Sequence, residues 1–290
     1  MCGAPDPLYV RARRTLLDAA DALAAHLDSV VLVGAQAIYL HTGEADLADS
    51  THGSAPEYTT DADFALNPME LNDSPLVAEL MVSAGFSAGE QPGEWHSVDG
   101  VRVDLMVPEA LAGAGSRGAR LGPHGKRVAR RAKGLEGALV DQDRRTLVSL
   151  DPADHRSVAM NVAGPGGLLV AKIHKIVERA ETPGRIEDKD ALDVLRLLRA
   201  TDTADLAGRI ALLARSGPCA TVTAEALHHL PRLFGRAEGV GTQMAVRAAG
   251  VNADAEVIAA SMTVLVSDLL DTLGELGGKI LGHDPGFALG

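Results

Sequence analysis

A chain of 290 residues, 46% of them apolar and 23% charged, is long enough for one large domain or two ordinary ones and supports a substantial buried core, which excludes a disordered protein. Only 3% of residues are aromatic, so Ala, Leu and Val must do most of the packing. A net charge of −12 excludes a protein that coats nucleic acid through its overall field, because phosphates repel such a surface, while leaving room for a local basic patch.

Cys2 and Cys219 give neither a disulfide framework nor metal-finger spacing. Positions 1–10 lack the positive-then-apolar pattern of a secretory leader, and no apolar run reaches ~18 residues. The expectation is a reducing, cytoplasmic setting with no membrane.

Residues 8–27 carry Leu8, Val10, Leu16, Leu17, Ala20, Leu23 and Leu27 near helical spacing and predict an amphipathic helix. Ser29 to Val33 is a short β-branched run ended by Gly34, the mark of a buried strand, and a helix follows from Ala35 to His41, up to Gly43. Residues 44–58 are rich in Gly, Ser, Asp and Pro and predict an exposed loop. Asp61 to Leu66 alternates polar and apolar as a half-buried strand does. Ser74-Pro75 predicts the cap and first turn of a helix that runs to Ala84.

Asp99-Gly100 lies between the strand-like runs 95–98 and 101–107, which favours a hairpin closed by a two-residue turn. Residues 108–134 are Gly-rich and basic, and 135–163 hold two or three weaker strands. The pattern is then helical over 168–181, 187–200, 203–215, 223–236 and 254–276. Together these predict an α+β protein, a small mixed-sheet domain followed by a mostly helical C-terminal half. The divisions are 1–110 for the α/β core, 111–165 for a basic, strand-rich connection, and 166–290 for the helices.

Three features of the first half carry chemistry. Val33-Gly34-Ala35-Gln36 joins a strand to a helix, whose free N–H groups and positive end suit a phosphate; it also reads as a purely structural turn. Asp61 and Asp63, at i and i+2 on a strand, project from one face and can share a hard cation; they also read as a solvated pair. Asp104 shares a strand face with Arg102 and Met106, either as an outward polar position or, if its strand neighbours 61–66, as a third converging carboxylate. Three such carboxylates could hold two magnesium ions on a nucleotide's phosphates.

Gly34 after a strand, the Thr59-Thr60-Asp61-Ala62-Asp63 run and the strand Asp104 resemble the polymerase-β-type nucleotidyltransferases. Leu168 to Lys175, followed by Glu187-Asp188-Lys189-Asp190-Ala191-Leu192-Asp193, resembles the lysine helix and the Lys/Arg-Asp-x-x-Asp helix of one subgroup. That subgroup is the abortive-infection (AbiEii-like) toxins of bacterial toxin–antitoxin pairs, some of which extend tRNA 3′ ends. The resemblance spans about residues 30–200. It implies a transferase that moves a nucleoside monophosphate from ATP or another nucleoside triphosphate to an acceptor hydroxyl, with Mg2+ or Mn2+ as cofactor.

By the same resemblance, Asp61, Asp63 and Asp104 would be the metal ligands. Gly34, Ala35, Gln36, Thr59 and Thr60 would contact the nucleotide, Lys172 would neutralise phosphate charge, and Asp190 would complete the site. Asp193 fits the site or a structural bond, and His174 reads as a packing or capping histidine. The chain departs from the family where Ala35 replaces a second Gly or Ser, and where Glu57 and Tyr58 stand in place of a preceding Arg.

Arg117, Arg120, Lys126, Arg127, Arg130, Arg131 and Lys133 crowd seven positive charges into seventeen residues. They read as a groove for an RNA or tRNA acceptor, with Lys126, Arg127, Arg130 and Arg131 as its contacts, or as a loop that is solvated or paired with the protein's own acids. An antitoxin protein would be the further partner. Two other functions remain open: modification of a small molecule such as an antibiotic, and a non-catalytic nucleotide-binding role.

Overall fold

The computed structural model describes residues 6–43, 59–180, 188–251 and 253–281. The first helix, α1 (Pro7–Ala22), starts at an Asp6 cap whose carboxylate accepts from the Leu8 N–H at 2.7 Å. Ala24–Ser29 tightens into a 3₁₀ turn, and β1 (Val30–Val33) then runs fully buried into α2 (Gly34–Thr42). The expected loop at 44–58, with Glu57 and Tyr58, lies outside the described residues. The chain continues through β2 (Ala62–Leu66), α3 (Val77–Ser83), β3 (Ser87–Ala88), β4 (Glu94–His96) and β5 (Arg102–Pro108).

The hairpin at Asp99-Gly100 is one residue longer than expected. Gly100 N–H donates to the Ser97 carbonyl at 2.9 Å, and Gly100 sits at φ 74. That is the three-residue loop in which a turn is followed by a left-handed glycine. β6 (Arg130–Ala132), β7 (Gln142–Val148) and β8 (Ser157–Ala163) complete the strands.

Among the described residues all eight strands belong to one sheet, in the order β3-β4-β5-β2-β1-β8-β7, with β6 against β5. Thus the stretch 111–165, read as a connection, supplies three strands of the sheet itself. Strands β1 and β8, β2 and β5, and β5 and β6 are parallel, and the other pairs antiparallel. Since β4 pairs with residues 102–104 of β5 and β6 with residues 106–108, β6 takes over the same stretch of edge where β4 stops.

The helical half comprises α4 (Pro165–Ala180), α5 (Lys189–Ala200), α6 (Thr203–Leu213), α7 (Ala220–Phe234), α8 (Val240–Ala249) and α9 (Ala255–Leu281). The sequence reading passed over α8, which is short and flanked by Gly239 and Gly250. Residue 187, the expected first residue of α5, lies outside the described residues. The two halves share one core, because α2 packs on both β2 and α5.

Although Glu256, Asp268, Asp271 and Glu275 interrupt its apolar residues, α9 is long and apolar enough to cross a membrane by length and composition, with a mean hydropathy of 1.5 over its best stretch. Ile258, Ala259, Met262, Val266 and Leu269 nonetheless bury one face of it at helical spacing, where it meets α6 and α8.

Candidate functional site

The parallel register of β2 and β5 sets Asp63 directly beside Asp104, and Val33, the last residue of β1, lies on the other side of Asp63. Asp61 immediately precedes β2. Alternation along a strand therefore gives the three acids one face, at the end of the sheet where α2 begins.

Gly34 is the joint that allows this. It adopts φ 71, and a Cβ there would lie 2.1 Å from Asp63 Oδ2, so a side chain is excluded both by conformation and by space. The first turn of α2 accordingly lies against the Asp63 carboxylate. Ala35 is half-buried against the core.

Gln36 is buried rather than offered to a ligand. Its Nε2 donates to the Asp61 carbonyl at 2.8 Å and to the Ala12 carbonyl at 3.2 Å, while its Oε1 accepts from Arg13 Nε at 3.0 Å. Gln36 thereby ties the backbone at Asp61 to α1. Thr59 is buried and donates its hydroxyl to Asp61 Oδ1, whereas Thr60 is exposed. A cavity of about 410 Å³ opens beside Asp61, between Leu8 and Arg11 of α1, Thr60, and the Asp99–Arg102 turn.

The three carboxylates are not equivalent. Burial pushes the Asp63 carboxyl up to about 6, helped by the negative charges of Asp61 and Asp104 and opposed by Lys175 and Arg130. Asp104 is buried but compensated. Arg102 donates from Nε to Oδ1 at 2.8 Å and from Nη2 to Oδ2 at 3.0 Å, and Arg130 adds a bond to Oδ2 at 3.2 Å. Arg130 reaches it because β6 joins β5 two residues beyond Asp104. Among the described residues no three His, Cys, Asp or Glu side chains close on a single metal-sized point. The crowded pair Asp61–Asp63 has the donor chemistry for a divalent cation, while Asp104 has its oxygens engaged by arginine.

The lysine helix places its charges differently from expectation. Lys172 is buried, and its ammonium donates to Asp190 Oδ1 at 2.6 Å and Asp193 Oδ2 at 2.7 Å. Burial alone would lower its proton affinity, but the charges of Asp193 and Asp190 outweigh it and hold the group well above the ordinary lysine range. Each aspartate has a second cation: Arg179 on Asp190 at 2.5 Å, Arg196 on Asp193 at 2.7 Å. Arg196 also stacks 5.5 Å from the Tyr39 ring centroid, joining α5 to α2. Burial pushes the Tyr39 phenol up to about 12, with Asp193 adding to the shift.

Lys172 is thus not a solvated helix lysine, and its ammonium is bonded to Asp190 and Asp193 rather than to Asp61, Asp63 or Asp104. The lysine whose charge acts on Asp63 is Lys175, one turn along α4 and half-exposed. Its spacing from Lys172 was the available signal, as was the i, i+2 spacing that let Arg102 clasp Asp104. His174 packs as expected, its Nε2 2.8 Å from the Val222 carbonyl.

Most of the basic stretch is engaged with the protein itself. Arg130 holds Asp104, Arg131 donates to the Gly115 carbonyl and lies 3.4 Å from Glu109, and Lys133 pairs with Glu225 at 2.7 Å. Arg127 and Arg117 donate to the Glu90 carbonyl and the Gln91 side chain. Arg120 and Lys126 stand exposed.

No protein-family model matches the chain, and no curated protein matches it. Among solved structures it is similar to an antigenic nucleotidyltransferase-like protein from Paracoccidioides brasiliensis, at 14% identity and a TM-score of 0.35, over 74% of this chain and 93% of that one.

Proposed function

We propose that this protein is a divalent-cation-dependent nucleotidyltransferase of the polymerase-β type, of the abortive-infection toxin kind. In this reading it moves a nucleoside monophosphate from a nucleoside triphosphate to the 3′ hydroxyl of an RNA such as tRNA, and a neutralising antitoxin is its protein partner. One observation carries the reading: the register that sets Asp63 beside Asp104, with Asp61 two residues earlier and the start of α2 against the Asp63 carboxylate.

Asp61 and Asp63 would hold the magnesium or manganese ion, since a pair crowded enough to push Asp63 up to about 6 gains from a cation beside it. Asp104 would join as third donor on exchanging Arg102 and Arg130 for the cation. When bound, the cation stabilises negative charge on the phosphate under attack. The chain's own residues bind and orient. Thr59 aims the Asp61 carboxylate, Gln36 anchors the backbone beneath it, and the free N–H groups of α2 offer donors to phosphate oxygens. Lys172 and Asp190 brace the helical wall of the site.

Transfer of label from each of four α-labelled nucleoside triphosphates to bulk tRNA, with magnesium, tests the proposal. Wild type labels RNA with at least one nucleotide, and Asp61→Asn reduces the rate by about 10²-fold or more, the several kcal/mol a metal-assisted step supplies. Absence of label with every nucleotide sinks transfer to RNA; equal label from the variant sinks the site. The arginine clasp on Asp104 favours a second reading, nucleotide binding without transfer, which the same assay decides when paired with a binding measurement.

A further inference from the structure

Arg13 of α1 is 3% exposed, and among the described residues no carboxylate stands within ion-pair distance of it. The other buried lysine and arginine, Lys172 and Arg196, both sit on Asp193. Arg13 instead commits its donors to three neutral oxygens. Its Nε donates to Gln36 Oε1 at 3.0 Å, Nη1 to the Val148 carbonyl at 3.2 Å and Nη2 to the Tyr9 hydroxyl at 2.8 Å. A guanidinium taken out of water without a counter-charge is costly, so its place in the fold calls for a reason.

Two hydrogen bonds lead from this charge to the carboxylate pair. Gln36 accepts from Arg13 at one end of its amide and donates from the other to the Asp61 carbonyl at 2.8 Å and the Ala12 carbonyl at 3.2 Å. Arginine carries donors and no acceptor, so the Gln36 oxygen must turn toward it and the amide N–H groups toward the two carbonyls. A flipped amide would set its oxygen against the Asp61 carbonyl. The charged donor on Oε1 also polarises the amide and strengthens Nε2 as a donor. The backbone of Asp61 is held in this way one residue before β2 begins, while Thr59 bonds its carboxylate.

We propose that Arg13 is a positioning residue of the cation site. Its buried charge fixes the orientation of the Gln36 amide, and the amide fixes the Asp61 backbone, so that the Asp61 carboxylate stands beside Asp63 for one divalent cation. The assignment rests on the cation-binding reading of that pair.

The test is Mn2+ binding to the full chain, followed by the electron paramagnetic resonance signal of the free ion, at a temperature where thermal melting shows every variant folded. Arg13→Met should weaken Mn2+ about tenfold, the scale on which groups behind a metal ligand act. Arg13→Lys, which keeps the charge without the planar fork, should fall between Arg13→Met and wild type and serves in its place if Arg13→Met does not fold. Adding Arg13→Met to Gln36→Leu should weaken Mn2+ no further than Gln36→Leu alone. Tyr9→Phe removes a partner of the same guanidinium that does not lead to Asp61, so it should lower the melting temperature and leave Mn2+ affinity unchanged. Wild-type affinity in both Arg13 variants, with Asp61→Asn weakened, overturns the Arg13 assignment alone. Additive losses in the double variant, or an equal loss in Tyr9→Phe, overturn the route through Gln36. Mn2+ binding that is absent in wild type, or the same in Asp61→Asn, overturns the assignment together with the cation reading.

Discussion

The molecule holds two clusters of acids, one in the helical half and one at the end of the sheet, and they are built on opposite rules. In the helical half Asp190 and Asp193 are buried with Lys172, Arg179 and Arg196, so every negative charge has a cation at 2.5–2.7 Å. At the sheet end Asp61 and Asp63 crowd one another beside Asp104, and the nearest cations serve Asp104 or stand farther off. One cluster is neutralised by direct ion pairs, whereas in the other the direct ion pairs among the described residues go to Asp104. Charge the fold does not compensate is what a cation-binding site requires, whereas a compensated cluster holds helices together.

That difference is sharpest at Lys172. Replacing it by Met leaves Asp190 with Arg179 and the more distant Lys175, leaves Asp193 with Arg196, and removes a group bonded to both buried carboxylates. The expected cost is about 3 kcal/mol of stability, near the lower end for breaking a buried ion pair because Arg179 and Arg196 remain. Chemical denaturation of wild type and Lys172→Met measures it directly. A change under about 1 kcal/mol would mean that the arginines suffice and that Lys172 is available for other work.

Asp63 should behave in the opposite sense. Its carboxyl is raised from an ordinary 3.8 to about 6, so the folded protein binds the proton more tightly than the unfolded chain does. The ionised form therefore destabilises the fold. That penalty is absent below about pH 4, grows as pH rises through 6 and is complete at neutral pH. Two units correspond to about 3 kcal/mol, an upper figure for a half-buried group. Asp63→Asn should thus stabilise the chelator-treated protein by about 1–3 kcal/mol at pH 7.5 and by almost nothing at pH 4. Magnesium should narrow the gap at pH 7.5 by stabilising wild type alone. Loss of stability in Asp63→Asn at pH 7.5 would show that the crowding is relieved in some other way.

Much of this contrast was legible in the sequence, for reasons particular to each element. The β-branched run at 30–33, the Gly34 joint and the i, i+2 acids are local patterns, and the strands and helix formed where those patterns lie. The neighbouring of β2 and β5, on which the site depends, was only a condition in the sequence, because pairing between residues 63 and 104 is a long-range event that local spacing does not encode. The same limit hid the membership of β7 and β8 in the main sheet.

Lys172 and Lys175 show the limit most clearly. Both lie on one face of one helix, and only the approach of Asp190 and Asp193 from α5 decides which ammonium is sealed and which is open. The sequence left the basic stretch open between a groove and a loop paired with the protein's own acids for a related reason: the partners of Arg130, Arg131 and Lys133, namely Asp104, Glu109 and Glu225, come from three separate places in the chain.

The Lys133–Glu225 pair is the smallest test of the comparison and isolates solvent as its variable. At 2.7 Å it is as short as the Lys172–Asp193 bond, yet both side chains are more than 40% exposed. Water screens the attraction and holding two long side chains in one geometry costs entropy, so such a pair contributes at most about 1 kcal/mol. Lys133→Ala should accordingly shift the denaturation free energy by about 0.5 kcal/mol, and raising the salt to about 1 M should erase the difference. Lys172→Met should keep its larger deficit in the same salt, because ions do not enter the space between α4 and α5. If salt removed both deficits equally, the helical cluster would be open to solvent, and Lys172 could no longer be distinguished from Lys175 by its burial.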